Sequence, residues 1–374
     1  MAFFIVGSER SGTTLLMAIL GHHSQLAVPE VSWYYPRFRA YVHTYGDLSR
    51  PENLVILCSE MIHGLKTPYF GLPWNPATIV ADLISELNEP SYRAIFNVIL
   101  SRYARDTGKS RWGEKTPHNL FYIKEILEDF PGARILNLIR DGRDVAVEQL
   151  RSAFGPTNIV SAAQLWKRTQ KAAAVGRSIC PGSQWLDVIY EELVSNPQET
   201  IQRVLNFLGE NYESELLNFH RGIVAQRRAR TRDHHQLGEP ISGRSVGLFQ
   251  RHLSLWEQEV FAGLAGEQLE QAGYVTTVQP LELESDELAL YEEWDQRVRA
   301  ATLDAPEGHI VYESYNDWLA EQRQQRREQG IWTESEDGPG FDWPAQLLSG
   351  QRAPLKWKRR FAIQRRYESD KLVL

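Results

Sequence analysis

The sequence has few cysteines and no long apolar run. Cys58 and Cys180 are the only cysteines among its 374 residues, which excludes a disulfide framework and is typical of a reducing compartment. No stretch approaches the roughly 20 apolar residues that a transmembrane helix needs. The apolar run at residues 3–6 is too short for a signal peptide. These absences predict a cytoplasmic protein without a transmembrane segment.

The sequence also lacks an overall excess of positive charge. Its 48 acidic and 41 basic side chains give a formal net charge of −7 at pH 7, which argues against a nucleic acid as partner. Residues 352–371, in contrast, are rich in lysine and arginine. This basic tail is a candidate for peripheral contact with an acidic membrane surface or for packing on the rest of the protein.

Short apolar runs alternate with helical patterns along most of the chain. Strands are predicted at 3–6, 111–114, 134–140 and 184–190, with helices between them. This alternation predicts an α/β fold with a P-loop-like parallel β-sheet flanked by helices. After Tyr274 the sequence becomes charged and helix-prone, and a Gly-Pro-Gly linker follows at 338–340. We therefore predict a main domain at 1–274 and a mostly helical C-terminal extension at 275–374, which ends in the basic tail.

The turn after the first predicted strand has the outline of a phosphate-binding loop. Gly7 and Gly12 have the spacing of the Gly-x-x-x-x-Gly-Lys-Ser/Thr motif, but Thr13 stands where the lysine should be. A turn that leads into a helix N-terminus still presents backbone N–H groups and a positive dipole end to an anion. The loop therefore predicts a phosphate-like ligand that is held without a triphosphate–magnesium complex, and Arg10 is its remaining cation.

Three further segments complete the pattern. Arg140 ends the strand at 134–140 and precedes Asp-Gly-Arg-Asp, Lys115 follows the strand at 111–114, and Tyr190 ends the last strand. Together with the first loop these segments resemble the sulfotransferase family, which uses 3′-phosphoadenosine 5′-phosphosulfate (PAPS) as donor. The resemblance runs from Phe3 to about Tyr274 and implies the sulfotransferase fold.

The resemblance also implies roles for individual residues. Arg10 and Lys115 would stabilise the leaving phosphate while a sulfuryl group moves to a hydroxyl of a small-molecule, glycan or lipid acceptor. A guanidinium or ammonium aimed at the bridging oxygen lowers the barrier, and no metal is required. The implied donor-binding residues are Arg10, Ser11, Gly12, Thr13 and Thr14 at the 5′-phosphosulfate, Arg140 and Arg244 at the 3′-phosphate, and Tyr190 beside the adenine.

The acceptor hydroxyl needs a general base, and two residues are candidates. Glu30 lies close to where one branch of the family has a catalytic glutamate. Another branch reads Lys-Thr-His, but here Pro117 occupies the histidine position and His118 is displaced by one. We favour Glu30, with His118 as second candidate or as a substrate-orienting residue. The aromatic residues that either line an acceptor pocket or belong to the core are Trp33, Tyr34, Tyr35, Phe70 and Trp74.

One position departs from the family pattern. The family usually has a serine eight residues after the 3′-phosphate arginine, whereas this chain has Glu148, whose carboxylate would repel a phosphate. Glu148 is therefore predicted to pair with Arg151 or Arg143, unless the 3′-phosphate is held differently. The basic stretch at 227–232 is predicted to be a solvated surface that could border the donor entrance.

Two other functions remain open from the sequence. A nucleotide-dependent kinase or NTPase could be built on the same loop, although Thr13 in place of lysine argues against it. A non-catalytic sulfotransferase-like scaffold would have lost the donor, with Glu148 as the lesion and the basic tail as its working surface.

Overall fold

The computed structural model of the protein describes residues 1–65, 74–152, 155–230, 232–302 and 309–331. At its centre is a parallel sheet in which the strand order is β2-β3-β1-β4-β5. The strands are β1 (Phe3–Gly7), β2 (Leu26–Ala27), β3 (Arg111–Lys115), β4 (Arg134–Ile139) and β5 (Trp185–Ile189).

Helices cover both faces of this sheet and form the C-terminal region. Between Met1 and Arg151 they are α1 (Thr13–Leu20), α2 (Tyr34–Arg37), α3 (Pro51–Gly64), α4 (Pro76–Ser85), α5 (Tyr92–Asp106), α6 (Ile123–Asp129) and α7 (Gly142–Arg151). Further along the chain they are α8 (Ile159–Ile179), α9 (Tyr190–Ser195), α10 (Pro197–Leu208), α11 (Ile223–Ala229), α12 (Phe249–His252), α13 (Leu255–Gln271), α14 (Ser285–Thr302) and α15 (His309–Glu328). The short 3₁₀ segments of the described residues are Arg39–Tyr45, Pro117–Tyr122, Gly182–Gln184, Ser214–Arg221, Arg232–Gly238 and Gly243–Ser245.

The central strand is buried on both faces, which explains why it reads as a continuous apolar run rather than as an alternating one. Phe4 and Val6 pack into one core with aromatic residues of α2 and α5, whereas Phe3 and Ile5 pack into another core with α1 and α10. A third core lies between α7, α8 and α13. Packing on both faces therefore fixes the position of β1 and of its carboxyl end.

The predicted α/β class and the parallel sheet are confirmed. The strand β2 was not predicted, because two residues are too short to show a period. Between the first two predicted strands, the helices include α4 and α5, which are separated by a break that contains Pro90. The linker at 338–340 and the basic tail at 352–371 lie outside the described residues.

The two C-terminal helices pack on the first 274 residues. In α14, Asp295 accepts hydrogen bonds from the backbone N–H of Thr157 at 2.6 Å and from its hydroxyl at 2.9 Å. In α15, Arg326 forms a buried ion pair with Glu60 of α3 at 2.9 Å and donates to the carbonyl of Thr44 at 3.1 Å. The domain division at residue 274 stays a prediction, but α14 and α15 are tied to the preceding residues by buried polar contacts.

Replacing Arg326 by methionine is expected to lower the free energy of unfolding by about 3–5 kcal/mol, because Glu60 would stay buried without its charged partner. The matched control is Arg297→Met, since the Arg297–Glu293 pair within α14 is exposed to solvent and is expected to contribute ~0.5 kcal/mol or less. Denaturant unfolding of both variants measures the difference. Equal midpoints for Arg326→Met and the wild type would contradict the packing of α15 on α3.

Candidate active site

The turn between β1 and α1 is tight and is held against the end of β5. Arg10 and Gly12 adopt left-handed backbone conformations, with φ of 67° and 97°. A Cβ added at Gly12 would lie 2.5 Å from the Tyr190 ring, so glycine is required there by backbone conformation and by space. Helix α1 begins at Thr13 without a side-chain cap. Its N-terminal backbone amides therefore lie at this turn, where an anion would be stabilised.

Arg140, at the end of β4, joins the turns predicted to bind the donor. It donates hydrogen bonds to the carbonyl of Arg10 at 2.8 Å and to that of Ser245 at 2.6 Å. Its guanidinium lies 4.5 Å from the centre of the Tyr190 ring, within the range of a cation–π interaction. The Arg140 Nε is buried and has no hydrogen-bond partner within the described residues. The structure therefore brings Arg10, Arg140 and Tyr190 together.

The loop that contains Arg244 is fixed by a residue that sequence reasoning missed. Asp144, in the first turn of α7, accepts hydrogen bonds from the backbone N–H groups of Gly247 at 2.7 Å and Phe249 at 2.9 Å. Arg244 itself is 45% exposed in its side chain and pairs with Glu239. The loop thus lies against the Arg140 turn through its backbone, while the Arg244 side chain faces solvent.

Glu148 pairs with Arg10, and the predicted partners Arg151 and Arg143 were wrong. The Arg10 Nη2 lies 2.8 Å from the Glu148 Oε2. Arg143 instead forms an ion pair at 2.7 Å with Asp141, the N-cap of α7. Burial would raise the pKa of Glu148, but Arg10, followed by Arg140 and Arg151, lowers that pKa below its usual value. The carboxylate is therefore ionised at neutral pH and directly contacts the predicted phosphosulfate loop.

A second cluster lies beside the same loop, at the end of β3. Lys115 is 2% exposed, and its Nζ lies 3.4 Å from the hydroxyl of Thr14 in α1. Glu30 is also 2% exposed and pairs with Arg228 at 2.6 Å and Arg227 at 3.2 Å. The prediction that residues 227–232 form a solvated surface was wrong for Arg228, which is buried because the Glu30 carboxylate needs a counter-ion inside the protein.

Burial moves the pKa values of both titrating groups in this cluster. It lowers the pKa of Lys115 to about 7; Arg228 acts in the same direction, whereas Glu30 opposes the shift. It raises the pKa of Glu30, although Arg228 and Arg227 oppose that change. A carboxylate with a raised pKa and an ammonium with a lowered one are suited to proton transfer and to charge stabilisation near neutral pH.

His118 lies beside Glu9 of the same loop. Its ring centre is 4.6 Å from that of Trp33, and its Nδ1 is 3.6 Å from the Glu9 carboxylate. Burial lowers the pKa of His118, so that its imidazole is neutral at pH 7. Of the aromatic residues predicted for the acceptor pocket or the core, Tyr34 and Tyr35 are completely buried in the core, Trp74 packs against that core, and Phe70 lies outside the described residues.

Glu114 is another residue that the sequence analysis missed. It is completely buried and accepts hydrogen bonds from the hydroxyls of Ser32 at 2.7 Å and Thr116 at 2.5 Å, and from the amide of Asn119 at 2.6 Å. These contacts fix the position of the strand end that carries Lys115. A carboxylate inside a short buried strand was the signal that could have identified it.

Within the described ranges, no group of three or more histidine, cysteine, aspartate or glutamate residues is placed to hold a metal ion. None of the helices in the described part of the chain is both long and apolar enough to span a membrane.

The fold and the site define a parallel α/β protein in which cationic side chains gather at the carboxyl ends of the strands, where such sheets bind ligands. A family model described as "Sulfotransferase family" matches residues 2–214, which is more than half of the chain. The chain belongs to the sulfotransferase family.

Individual relatives are distant. A protein of Aquifex aeolicus (strain VF5) described as uncharacterized is 26% identical over 67% of this chain, and the match spans 30% of that protein. The omega-hydroxy-beta-dihydromenaquinone-9 sulfotransferase Stf3 of Mycobacterium tuberculosis (strain CDC 1551 / Oshkosh) is 26% identical over 55% of this chain and 62% of its own length. Among solved structures, the sulfotransferase domain of the Synechococcus PCC 7002 olefin synthase is similar over 79% of this chain and 94% of that domain, with 19% identity and a TM-score of 0.48.

Proposed function

We propose that the protein transfers a sulfuryl group from PAPS to a hydroxyl of an acceptor, giving a sulfate ester and adenosine 3′,5′-bisphosphate. The observation that supports this proposal best is the hydrogen bond that Arg140 donates to the carbonyl of Arg10 at 2.8 Å. Because PAPS has two anionic ends, it needs two cationic sites at a fixed separation. Arg140 links the loop proposed for the 5′-phosphosulfate to the strand end proposed for the 3′-phosphate.

The described residues fit an anionic donor of this kind. The buried Arg140 Nε has no partner among them, and the N-terminus of α1 has no side-chain cap. N–H groups that have no hydrogen-bond partner in the protein are suited to bind phosphate oxygens. We propose that residues 10–14 hold the 5′-phosphosulfate, that Arg140 and the backbone of the Arg244 loop hold the 3′-phosphate, and that Tyr190 lies beside the adenine.

The donor supplies an activated sulfur–oxygen bond, and the protein supplies a base and positive charge. Glu30 is proposed to accept the proton of the acceptor hydroxyl, whose oxygen then forms a bond to sulfur while the bond between sulfur and the bridging oxygen breaks. Arg10 and Lys115 are proposed to stabilise the charge that develops on that bridging oxygen. His118 and Trp33 are proposed to orient the acceptor.

Calorimetry with adenosine 3′,5′-bisphosphate and with adenosine 5′-monophosphate tests the donor assignment. The bisphosphate is expected to bind at least about 10-fold more tightly, because a charge-assisted hydrogen bond contributes roughly 1.5–3 kcal/mol. Equal affinities would reject the proposal. Magnesium-dependent ATP turnover would instead support a kinase or NTPase.

A panel of hydroxyl acceptors with labelled PAPS identifies the substrate class. The panel includes phenols, tyrosyl peptides, carbohydrates and a lipid with a terminal hydroxyl, the last because the relative Stf3 is named for an omega-hydroxylated menaquinone. A protein that shows no preference for the bisphosphate, turns over no ATP and sulfates no acceptor would support the non-catalytic scaffold, which has lost the donor.

A further inference from the structure

An ion pair crosses the proposed donor site. It joins Arg10 in the loop after β1 to Glu148 in the middle of α7, and both side chains are mostly buried, with 14% and 17% exposed. We propose that Glu148 is an internal anion that competes with the donor for Arg10 and thereby weakens donor binding. This inference rests on the proposed function, because it takes the donor to be PAPS.

The position of Glu148 supports competition rather than a purely structural role. Its carboxylate contacts Arg10 at 2.8 Å, and Arg10 is one of the two side-chain cations proposed to stabilise the leaving phosphate. Arg140 lies close enough to help keep Glu148 ionised, together with Arg151 from α7 itself. Glu148 therefore lies among the cations that the donor's phosphates would use.

The charges determine the direction of the effect. A guanidinium that already holds a carboxylate presents less positive potential to a second anion, and like charges placed side by side weaken association strongly. The donor must therefore displace the carboxylate from Arg10 or bind beside it. Either alternative has an electrostatic cost that weakens donor binding, and this cost disappears when the negative charge at position 148 is removed.

The test measures the affinity of adenosine 3′,5′-bisphosphate for the wild type, Glu148→Gln and Glu148→Ser by calorimetry. Both variants are expected to bind it about 10-fold or more tightly than the wild type. Glutamine keeps the size of the side chain and loses its charge. Serine also removes the charge and provides a second variant if glutamine disturbs the fold, which thermal unfolding checks.

The matched control is Glu210→Gln. The Arg111–Glu210 ion pair has the same 2.8 Å separation and similar burial, with 13% and 19% exposed, but Arg111 begins β3 at the opposite end of the sheet. Removing the charge of Glu210 is expected to leave the affinity for adenosine 3′,5′-bisphosphate unchanged.

Two results overturn the inference, and they are distinguishable. If the wild type prefers the bisphosphate to adenosine 5′-monophosphate and neither Glu148 variant binds it more tightly than the wild type does, Glu148 is not a competitor and the proposed function stands. If the wild type shows no such preference, the proposed function fails, and the role of Glu148 fails with it.

Discussion

Glu30→Gln is expected to lower the rate of sulfuryl transfer by about 10²–10⁴-fold, the usual contribution of a general base. Glutamine has nearly the same shape and can still accept the hydrogen bond from Arg227, but it cannot take the proton of the acceptor hydroxyl. The measurement is single-turnover transfer to an acceptor found in the panel, with donor and enzyme premixed. Binding of adenosine 3′,5′-bisphosphate is expected to persist, which separates loss of the base from loss of the fold.

The pH dependence gives this prediction a direction. A base acts in its ionised form, and burial raises the pKa of Glu30, so the wild-type rate is expected to fall as the pH is lowered through that raised value. Glu30→Gln is expected to lose this acid limb. His118→Ala is expected to retain more activity than Glu30→Gln. Full activity in Glu30→Gln, or a larger loss in His118→Ala, would show that the preference for Glu30 was wrong.

The sheet and the order of its motifs could be predicted because they depend on local sequence. The run at 3–6 is continuous and apolar, and the strand before Arg140 is apolar apart from Arg134 and Asn137, as expected for strands buried on both faces. Each is followed by a glycine-containing turn, so both turns open at one edge of the sheet. This reasoning placed Arg10 and Arg140 together without knowledge of their side-chain contacts.

The pairing of charges could not be predicted in the same way. Glu30 and Arg228 lie almost 200 residues apart in the sequence, and nothing local marks that arginine as buried. For Glu148, arginines on its own helix were the nearest in sequence, yet Arg143 is held by Asp141 and the contact is made by Arg10. Tertiary packing determines which charged residues pair. The sequence of a basic segment does not show whether its side chains are exposed to solvent or buried.

Lys115→Met is expected to lower the transfer rate by about 10²–10³-fold, the effect of removing one group that stabilises developing charge. Lys115 lies in a buried pocket beside Thr14, and methionine fills that pocket without the ammonium. Single-turnover transfer measures the loss. Tight binding of adenosine 3′,5′-bisphosphate by the variant would show that the loss is in the chemical step.

Lys115→Arg separates the charge of this residue from its shape. Because the pKa of Lys115 is lowered to about 7, the wild-type kcat/KM for the donor is expected to fall as the pH rises through that value and the lysine becomes neutral. This ratio reports the ionisation of the free enzyme. Arginine remains charged throughout, so Lys115→Arg is expected to lose the alkaline limb even if its absolute rate is lower. An unchanged alkaline limb in Lys115→Arg would assign that ionisation to another group and remove the reason for placing a titrating lysine at the bridging oxygen.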